Sequence, residues 1–292
     1  MSTQQADWLA RQFEDQRGRL RAVAYRLLGS SHEADDAVQE AWLRLNRSDA
    51  DTIENLAAWL TSVVSRICLD MLRSRASRRE QPLEAPEPVS VPAPDADPER
   101  EAAMAESVGF ALLVVLERLQ PAERIAFVLH DMFAVSFGDV AAILGRSEPA
   151  VRQLASRARR RARGPLDISN VDLSAQRHVV EAFLAALRAG DFEGLLAVLD
   201  PDVAVRIEGG VAGGVREVRG ARSWAEGAQN FARLARFIQP ALLDGSVGLI
   251  YAPRGRLVRA LRFTVRDGKI VAGEVIADPG RLRRLVLAPL PE

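Results

Sequence analysis

Ser136–Arg163, SFGDVAAILGRSEPAVRQLASRARRRAR, is the stretch on which the reading of this chain turns. Phe137, Val140, Ala141 and Leu144 fall at i, i+3, i+4 and i+7, which places one apolar stripe on a first short helix. Ser136 suits its N-cap and Asp139 its first turn. Gly145 can adopt the left-handed conformation that ends a helix, Ser147 can cap the next one, and Pro149 fits an opening turn. On the second helix Val151, Leu154 and Ala158 face inward. Pro149, Arg152, Gln153, Ser156, Arg157 and Arg160 lie on the other side, with Ser147 and Glu148 at its start. A face of Arg, Gln and Ser with no carboxylate beyond Glu148 suits phosphates and base edges. Taken alone, the same pattern also fits a helical hairpin with a solvated basic face.

The surrounding chain narrows the choice. Its 292 residues allow two or three domains, each with its own core. Lys plus Arg equals Asp plus Glu, 39 against 39, so only the distribution of charge is informative. Residues 81–106 carry seven acids and one Arg, a net of −6, whereas residues 107–164 carry nine Arg and five acids, a net of +4. A basic module behind an acidic connector suits a polyanionic partner. The sole cysteine, Cys68, cannot form an internal disulfide and reads as buried filler. No apolar run approaches a membrane span, and the opening MSTQQADWLARQFEDQ lacks a signal-peptide pattern. The expectation is a cytoplasmic protein with no membrane contact, no metal and no cofactor.

Residues 7–28 predict a helix using Leu9, Phe13, Leu20, Val23, Ala24 and Leu27, stopped near Gly29. Ser31 is expected to cap a second helix, with Val38, Ala41, Trp42 and Leu45 inside. Asp36, Gln39, Glu40 and Leu43 share another face of it. A leucine among acids fits a protein-docking surface, and it equally fits a solvated acidic face. From Asn55 a third helix follows, with Leu60, Val63, Val64, Ile67 and Met71 toward the core. Ser62, Arg66, Asp70 and Arg73 share another side, and residues 66–80 carry five Arg against two acids. Trp59 fits internal packing better than stacking on an unpaired base. Residues 81–98 hold six prolines and cannot form a core, which reads as a tether. Val108, Leu112, Val115 and Leu119 then mark a helix, and Pro121 opens another. His130-Asp131 reads as a turn-forming pair, since no nucleophile or metal partner lies nearby.

A DDAVQEAWLRL helix, a W-L-x-x-V-V-S-R-x-x-x-D-x-x-R helix, an acidic linker and a helix-turn-helix, in this order, resemble the extracytoplasmic-function sigma factors of bacterial RNA polymerase. The resemblance covers residues 7–80 and 107–163. It implies two all-α sigma domains, residues 1–80 and 99–164, joined by the linker at 81–98. Asp36, Gln39, Glu40 and Leu43 would then meet the clamp helices of the polymerase largest subunit, with the beta flap as a second contact. Asn55, Trp59, Ser62, Arg66, Asp70, Arg73 and Arg78 would recognise and open the minus-ten element of promoter DNA. Ser147, Glu148, Pro149, Arg152, Gln153, Ser156, Arg157 and Arg160 would read the minus-thirty-five element in the major groove. Where many relatives carry Asn, this chain has Ser65.

Beyond Pro165 the pattern changes. Gln176–Ala189 is an amphipathic helix through Val180, Phe183, Leu184 and Leu187, and Phe192–Leu199 a shorter one. Val203, Val205 and Ile207 alternate as a strand, a glycine-rich loop spans 208–214, and a helix is expected from about Ala221 to Phe237. Two or three strands close the chain, with Asp267-Gly268 as a hairpin turn. Helices before antiparallel strands argue an α+β domain. VVEAFLAALRAGDFEGLLAVLDPDVAV with a closing DGKIV hairpin resembles the SnoaL-like branch of the cone fold, giving a third domain at 171–288. Sigma factors with this fused domain form a group in which it regulates in cis. Relatives show W-L-P-E-P in the linker and D-G-G-G-K after the first strand, where this chain has PLEAPEP (82–88) and Glu208-Gly209-Gly210, the candidate regulatory loop.

Cone folds often hold a pocket for a small-molecule ligand, so a cone domain that binds or turns over such a molecule is the alternative. Its acid–base candidates are Asp200, Asp202, Glu208 and His178, of which Asp200-Pro201-Asp202 reads as a turn and His178 sits at a helix start. A DNA-binding regulator independent of polymerase is the third option. The preferred expectation is a promoter-recognition subunit, not an enzyme.

Overall fold

A computed structural model describes residues 3–48, 53–80, 110–163, 170–208, 214–253 and 256–290. The chain falls into two compact units, Met1–Met104 with Leu116–Arg160 and Ala105–Val115 with Arg161–Glu292.

In the first unit, helices α1 (Thr3–Leu28), α2 (Ser31–Arg47) and α3 (Leu56–Glu80) pack on one another. Their shared core holds Leu9, Phe13, Leu20, Val23, Leu27, Val38, Ala41, Leu45, Leu60 and Val64. The cap of α2 is Ser30, one residue earlier than expected: its hydroxyl accepts from the Glu33 N–H, and Ser31 is already helical. Trp42 is only half-buried, with its ring 5.0 Å from Phe13. On α3 Leu60, Val64 and Ile67 face inward as expected, and the buried side is wider on one flank and narrower on the other. Ile67, Cys68, Leu69 and Leu72 are buried, while Val63 and Met71 are half-exposed. Ser65 is wholly buried, and its hydroxyl has no hydrogen-bond partner among the described residues.

After α4 (Phe110–Glu117), which spans the boundary between the units, come α5 (Pro121–Phe127), a π-helical turn (Val128–Met132), α6 (Phe137–Leu144) and α7 (Glu148–Arg163). Pro121 occupies the first position of α5, where its missing N–H costs nothing, and the preceding Gln120 N–H donates to Glu123. Ser136 caps α6 by accepting from the Asp139 N–H at 3.1 Å. Gly145, at φ 63°, ends α6, and Arg146 N–H returns to the Ala141 carbonyl. The first bond of α7 runs from Val151 N–H to Ser147 C=O. Arg124 is buried, and its guanidinium donates to the carbonyls of Leu116 at 2.5 Å and Leu27 at 2.8 Å. The C-terminal carbonyls of α1, left without helical partners, thereby gain a cationic donor.

The second unit sets α8 (Asn170–Ala189), α9 (Phe192–Val198), α10 (Ala221–Gln229) and α11 (Pro279–Arg284) with a seven-stranded sheet. The strands are β1 (Leu199–Glu208), β2 (Val215–Arg219), β3 (Ile238–Leu243), β4 (Ser246–Tyr251), β5 (Arg259–Arg266), β6 (Lys269–Ile276) and β7 (Leu287–Ala288). Their order is β2-β1-β6-β5-β4-β3-β7, antiparallel throughout except for β1 with β6. That parallel pair departs from the all-antiparallel expectation. It arises because the last long strand returns beside the first.

Two other expectations change. Asp200-Pro201-Asp202 is a turn, with Asp202 N–H donating to Asp200 Oδ1 at 2.9 Å, but it is an irregularity inside β1. The helix expected to reach Phe237 stops at Gln229, and a separate 3-10 turn follows at Ala232–Phe237. The Asp267-Gly268 hairpin has both residues at positive φ, 49° and 73°, and Asp244-Gly245 makes a second such turn between β3 and β4. The interior is filled by Phe183, Leu195, Val203, Val205, Trp224, Leu249 and Ile270, with Phe183 and Phe263 rings 5.4 Å apart.

Candidate nucleic-acid interface

The bend at Gly145 sets α7 so that Val151, Leu154, Ala155 and Ala158 are buried. Pro149, Arg152, Gln153, Ser156, Arg157 and Arg160 are exposed together on the other side, with Ser147 exposed and Glu148 half-exposed at the helix start. Arg159, between the two faces, pairs with Asp131 at 2.6 Å and fastens α7 to the π-helical turn. The His130-Asp131 pair is thus structural: His130 Nδ1 lies 2.9 Å from the Val135 carbonyl, and Asp131 takes an arginine. Glu148 pairs with Arg152 one turn on. The result is a face of guanidinium, amide and hydroxyl donors with one carboxylate at its edge, which is the donor set that bases and phosphates require.

On α3, Arg66, Asp70 and Arg73 are exposed, Ser62 and Trp59 are half-buried, and Asp70 and Arg73 lie 3.9 Å apart. Asn55 serves the helix itself. Its side-chain oxygen accepts from Ala58 N–H at 3.0 Å and its carbonyl from Trp59 N–H, so it caps α3. The side chain of Arg78 lies outside the described residues. Ser65, one residue before Arg66, turns into the core and away from the face that Arg66 shares with Asp70 and Arg73.

On α2, Asp36, Gln39 and Leu43 are exposed and Glu40 half-exposed, one above the other. His32 lies 2.9 Å from Asp36, and Arg44 donates to Glu40 at 2.9 Å. Beside this face runs a groove of about 510 Å³ lined by Arg17, Arg21, Asp35, Gln39 and Trp42. Sequence reading missed Arg17 and Arg21, because the groove is made by α1 crossing α2. Arg21 is held there by Asp35 at 2.5 Å.

The acid–base candidates of the cone domain do not converge. His178 and Asp202 are exposed and Asp200 is half-exposed. Glu208 is buried but neutralised by Arg281 at 2.5 Å and Arg206 at 3.0 Å. Hydrogen bonding to Glu208, then to Glu274, pushes the Arg281 guanidinium above its ordinary value. Gly209 and Gly210 lie outside the described residues. Among the described residues no cluster of His, Cys, Asp and Glu is suited to a metal, and no helix is long and apolar enough to cross a membrane.

Residues 13–78 match the Sigma-70 region 2 family and residues 109–161 the Sigma-70 region 4 family. The chain is 41% identical over 297 residues to the ECF RNA polymerase sigma factor SigJ of Mycobacterium tuberculosis, covering 92% of each. It is 34% identical to the probable ECF RNA polymerase sigma factor SigI of the same species, covering 89% of this chain and 90% of that one. The crystal structure of M. tuberculosis SigJ aligns over 94% of this chain and 98% of that one, with 39% identity and a TM-score of 0.45. With the two helical modules in order and likeness extending over nearly the whole length, the chain belongs to the extracytoplasmic-function sigma factors of RNA polymerase.

Proposed function

We propose that this sigma factor reads the upstream promoter element with α7, opens the downstream element with α3, and is regulated in cis by its cone domain. The observation that carries the reading is the exposed row Arg152, Gln153, Ser156, Arg157 and Arg160, set opposite a fully buried apolar side of the same helix. Arg is the side chain suited to bidentate recognition of guanine edges, and Gln of adenine. On α3, Arg66 and Arg73 supply cations for the strands, and half-buried Trp59 supplies an aromatic surface near the helix start. The acidic face of α2 around Leu43 is the surface for the clamp helices of the polymerase, where an apolar centre is desolvated and the surrounding charges select a basic partner. Promoter selection requires no covalent step from this chain, and it works in the cytoplasm, where polymerase and DNA are.

The test is run-off transcription with core polymerase and the full chain. Arg157→Ala lowers promoter-dependent output while leaving core binding intact. Unchanged output from a cognate promoter removes α7 as the reader. For the cone domain, the comparison is between the full chain and a chain ending after Gly164. Identical output from both on the same promoter removes regulation in cis.

A further inference from the structure

Arg152 stands differently from the other arginines of the α7 face. Its guanidinium lies over the Phe137 ring, 4.9 Å from the centroid, and is also paired with Glu148 on the preceding turn. Phe137 is the first residue of α6, on the other helix of the helix-turn-helix. It is in turn stacked against His130, with ring centroids 3.6 Å apart and planes 25° from parallel. His130 is fixed by the Val135 carbonyl at 2.9 Å, a bond in which its Nδ1 is the donor. The four side chains therefore form one assembly, from the π-helical turn through α6 to the exposed face of α7. A π-helical turn is an uncommon element that recurs at functional sites. Here it is what delivers the His130 ring to Phe137.

A free arginine side chain samples many rotamers, and a reader that must present two parallel N–H groups to one base edge loses that freedom on binding. A carboxylate on one side and an aromatic face beneath restrict the guanidinium beforehand. Neither partner uses up all five of its donors. Arg157 and Arg160, exposed on the same face, have no such support among the described residues and suit phosphates, which accept from any direction.

We propose that Phe137, backed by His130, is a positioning residue for sequence readout: together with Glu148 it holds Arg152 in the orientation that selects a base pair of the upstream element. This rests on α7 being the reader. The assignment divides the face into one oriented, sequence-selecting arginine and others that anchor to the backbone.

The experiment is selection of a promoter library, randomised in the upstream element, by the full chain bound to core polymerase, followed by sequencing. Arg152→Ala is expected to erase preference at one or two base pairs, roughly 5- to 150-fold in discrimination. Phe137→Leu is expected to soften preference at those same base pairs by roughly two- to fivefold, the size of an exposed cation–π contact. Phe137→Tyr keeps the ring and retains the preference. Glu148→Gln, a surface change that leaves folding intact, weakens the same positions and no others. If Phe137→Leu and Glu148→Gln leave those positions untouched, or lower recovery evenly across all sequences, the positioning role is wrong while α7 remains the reader. If Arg152→Ala itself changes no preference, the reading of the α7 face at this residue falls, and the proposal with it.

Discussion

The guanidinium of Arg66 donates a 3.1 Å hydrogen bond to the backbone carbonyl of Ala142, tying α3 to the first helix of the helix-turn-helix. Arg66 is a residue proposed above to meet promoter strands, and in this arrangement one of its donors is committed to protein. The same two helical modules meet again where Arg124 reaches the Leu27 carbonyl and where the Arg26 guanidinium lies 5.2 Å from the Phe133 ring centroid. The contacts differ in weight. Arg124 is buried and holds two carbonyls, whereas Arg66 is exposed and its bond competes with water.

Arg124→Met is therefore expected to lower stability by about 2–4 kcal/mol, since it strips a charged donor from two buried carbonyls. Urea unfolding of the full chain measures it. Arg66→Met changes stability by no more than about 0.5 kcal/mol, as surface substitutions do, yet it reduces promoter opening, scored by permanganate reactivity of unpaired thymines.

Gly145 and Gly248 are both glycine for steric reasons, of different kinds. A Cβ at Gly145 would touch nothing within 4 Å, but φ is 63°. Gly145→Ala should cost about 1 kcal/mol, all of it backbone strain. At Gly248, in β4, a Cβ would fall 2.5 Å from the Leu261 carbonyl oxygen and against a methyl group of Leu243. Gly248→Ala should cost about 3 kcal/mol or more, since backbone cannot yield as a side chain can. Thermal unfolding followed by circular dichroism ranks the two.

Cys68 is wholly buried, and burial pushes its thiol well above the ordinary range. Native protein should resist thiol reagents, reacting only as fast as it opens. The linkage has a definite sign. With the folded value raised, the contribution to stability is full below the unfolded thiol's pKa, near 8.5, and declines as pH rises above it, by about 1.4 kcal/mol per pH unit. Subtracting the pH–stability curve of Cys68→Ala from that of the parent isolates this slope. A flat difference between pH 8 and 10 would contradict it.

Arg281 joins Glu208 at the end of β1 to Glu274 on β6. Arg281→Met leaves two neighbouring carboxylates, one of them buried, without this cation, and should destabilise the cone domain by roughly 1–3 kcal/mol after allowance for the partial exposure of the arginine. Chemical denaturation of the full chain and of the variant at pH 7 tests it.

What is legible in the sequence is mostly local. Ser136, Gly145 and the 3.6-residue spacing of Val151, Leu154 and Ala158 are enough to place the helix-turn-helix and its outer face, because caps, bends and stripes are decided within a few residues. Asp267-Gly268 identifies its hairpin in the same way. The strand SVGLIY is not legible because Val247, Gly248, Leu249, Ile250 and Tyr251 are all buried, so the polar–apolar alternation that betrays a strand is missing. On α3 Leu60, Val64 and Ile67 are legible, but Val63 and Met71 are not inward for a related reason: apolar residues surround Ser65, and only the packing of α1 and α2 decides which of them faces in. The support of Arg152 by Phe137 and the reach of Arg124 to Leu27 join separate helices, and no spacing rule encodes them.

The parallel pairing of β1 with β6 has a consequence for synthesis. Leu199 meets Ile270, so β1, which β2 pairs on one side, must wait for its neighbour on the other until 71 residues later. At bacterial elongation rates that is a delay of roughly 4–14 s. Throughout it, the helical modules have left the ribosome while the cone is still an unfinished sheet. Under the function proposed above, a nascent chain thus passes through an interval in which it carries its proposed promoter readers and no completed domain to restrain them.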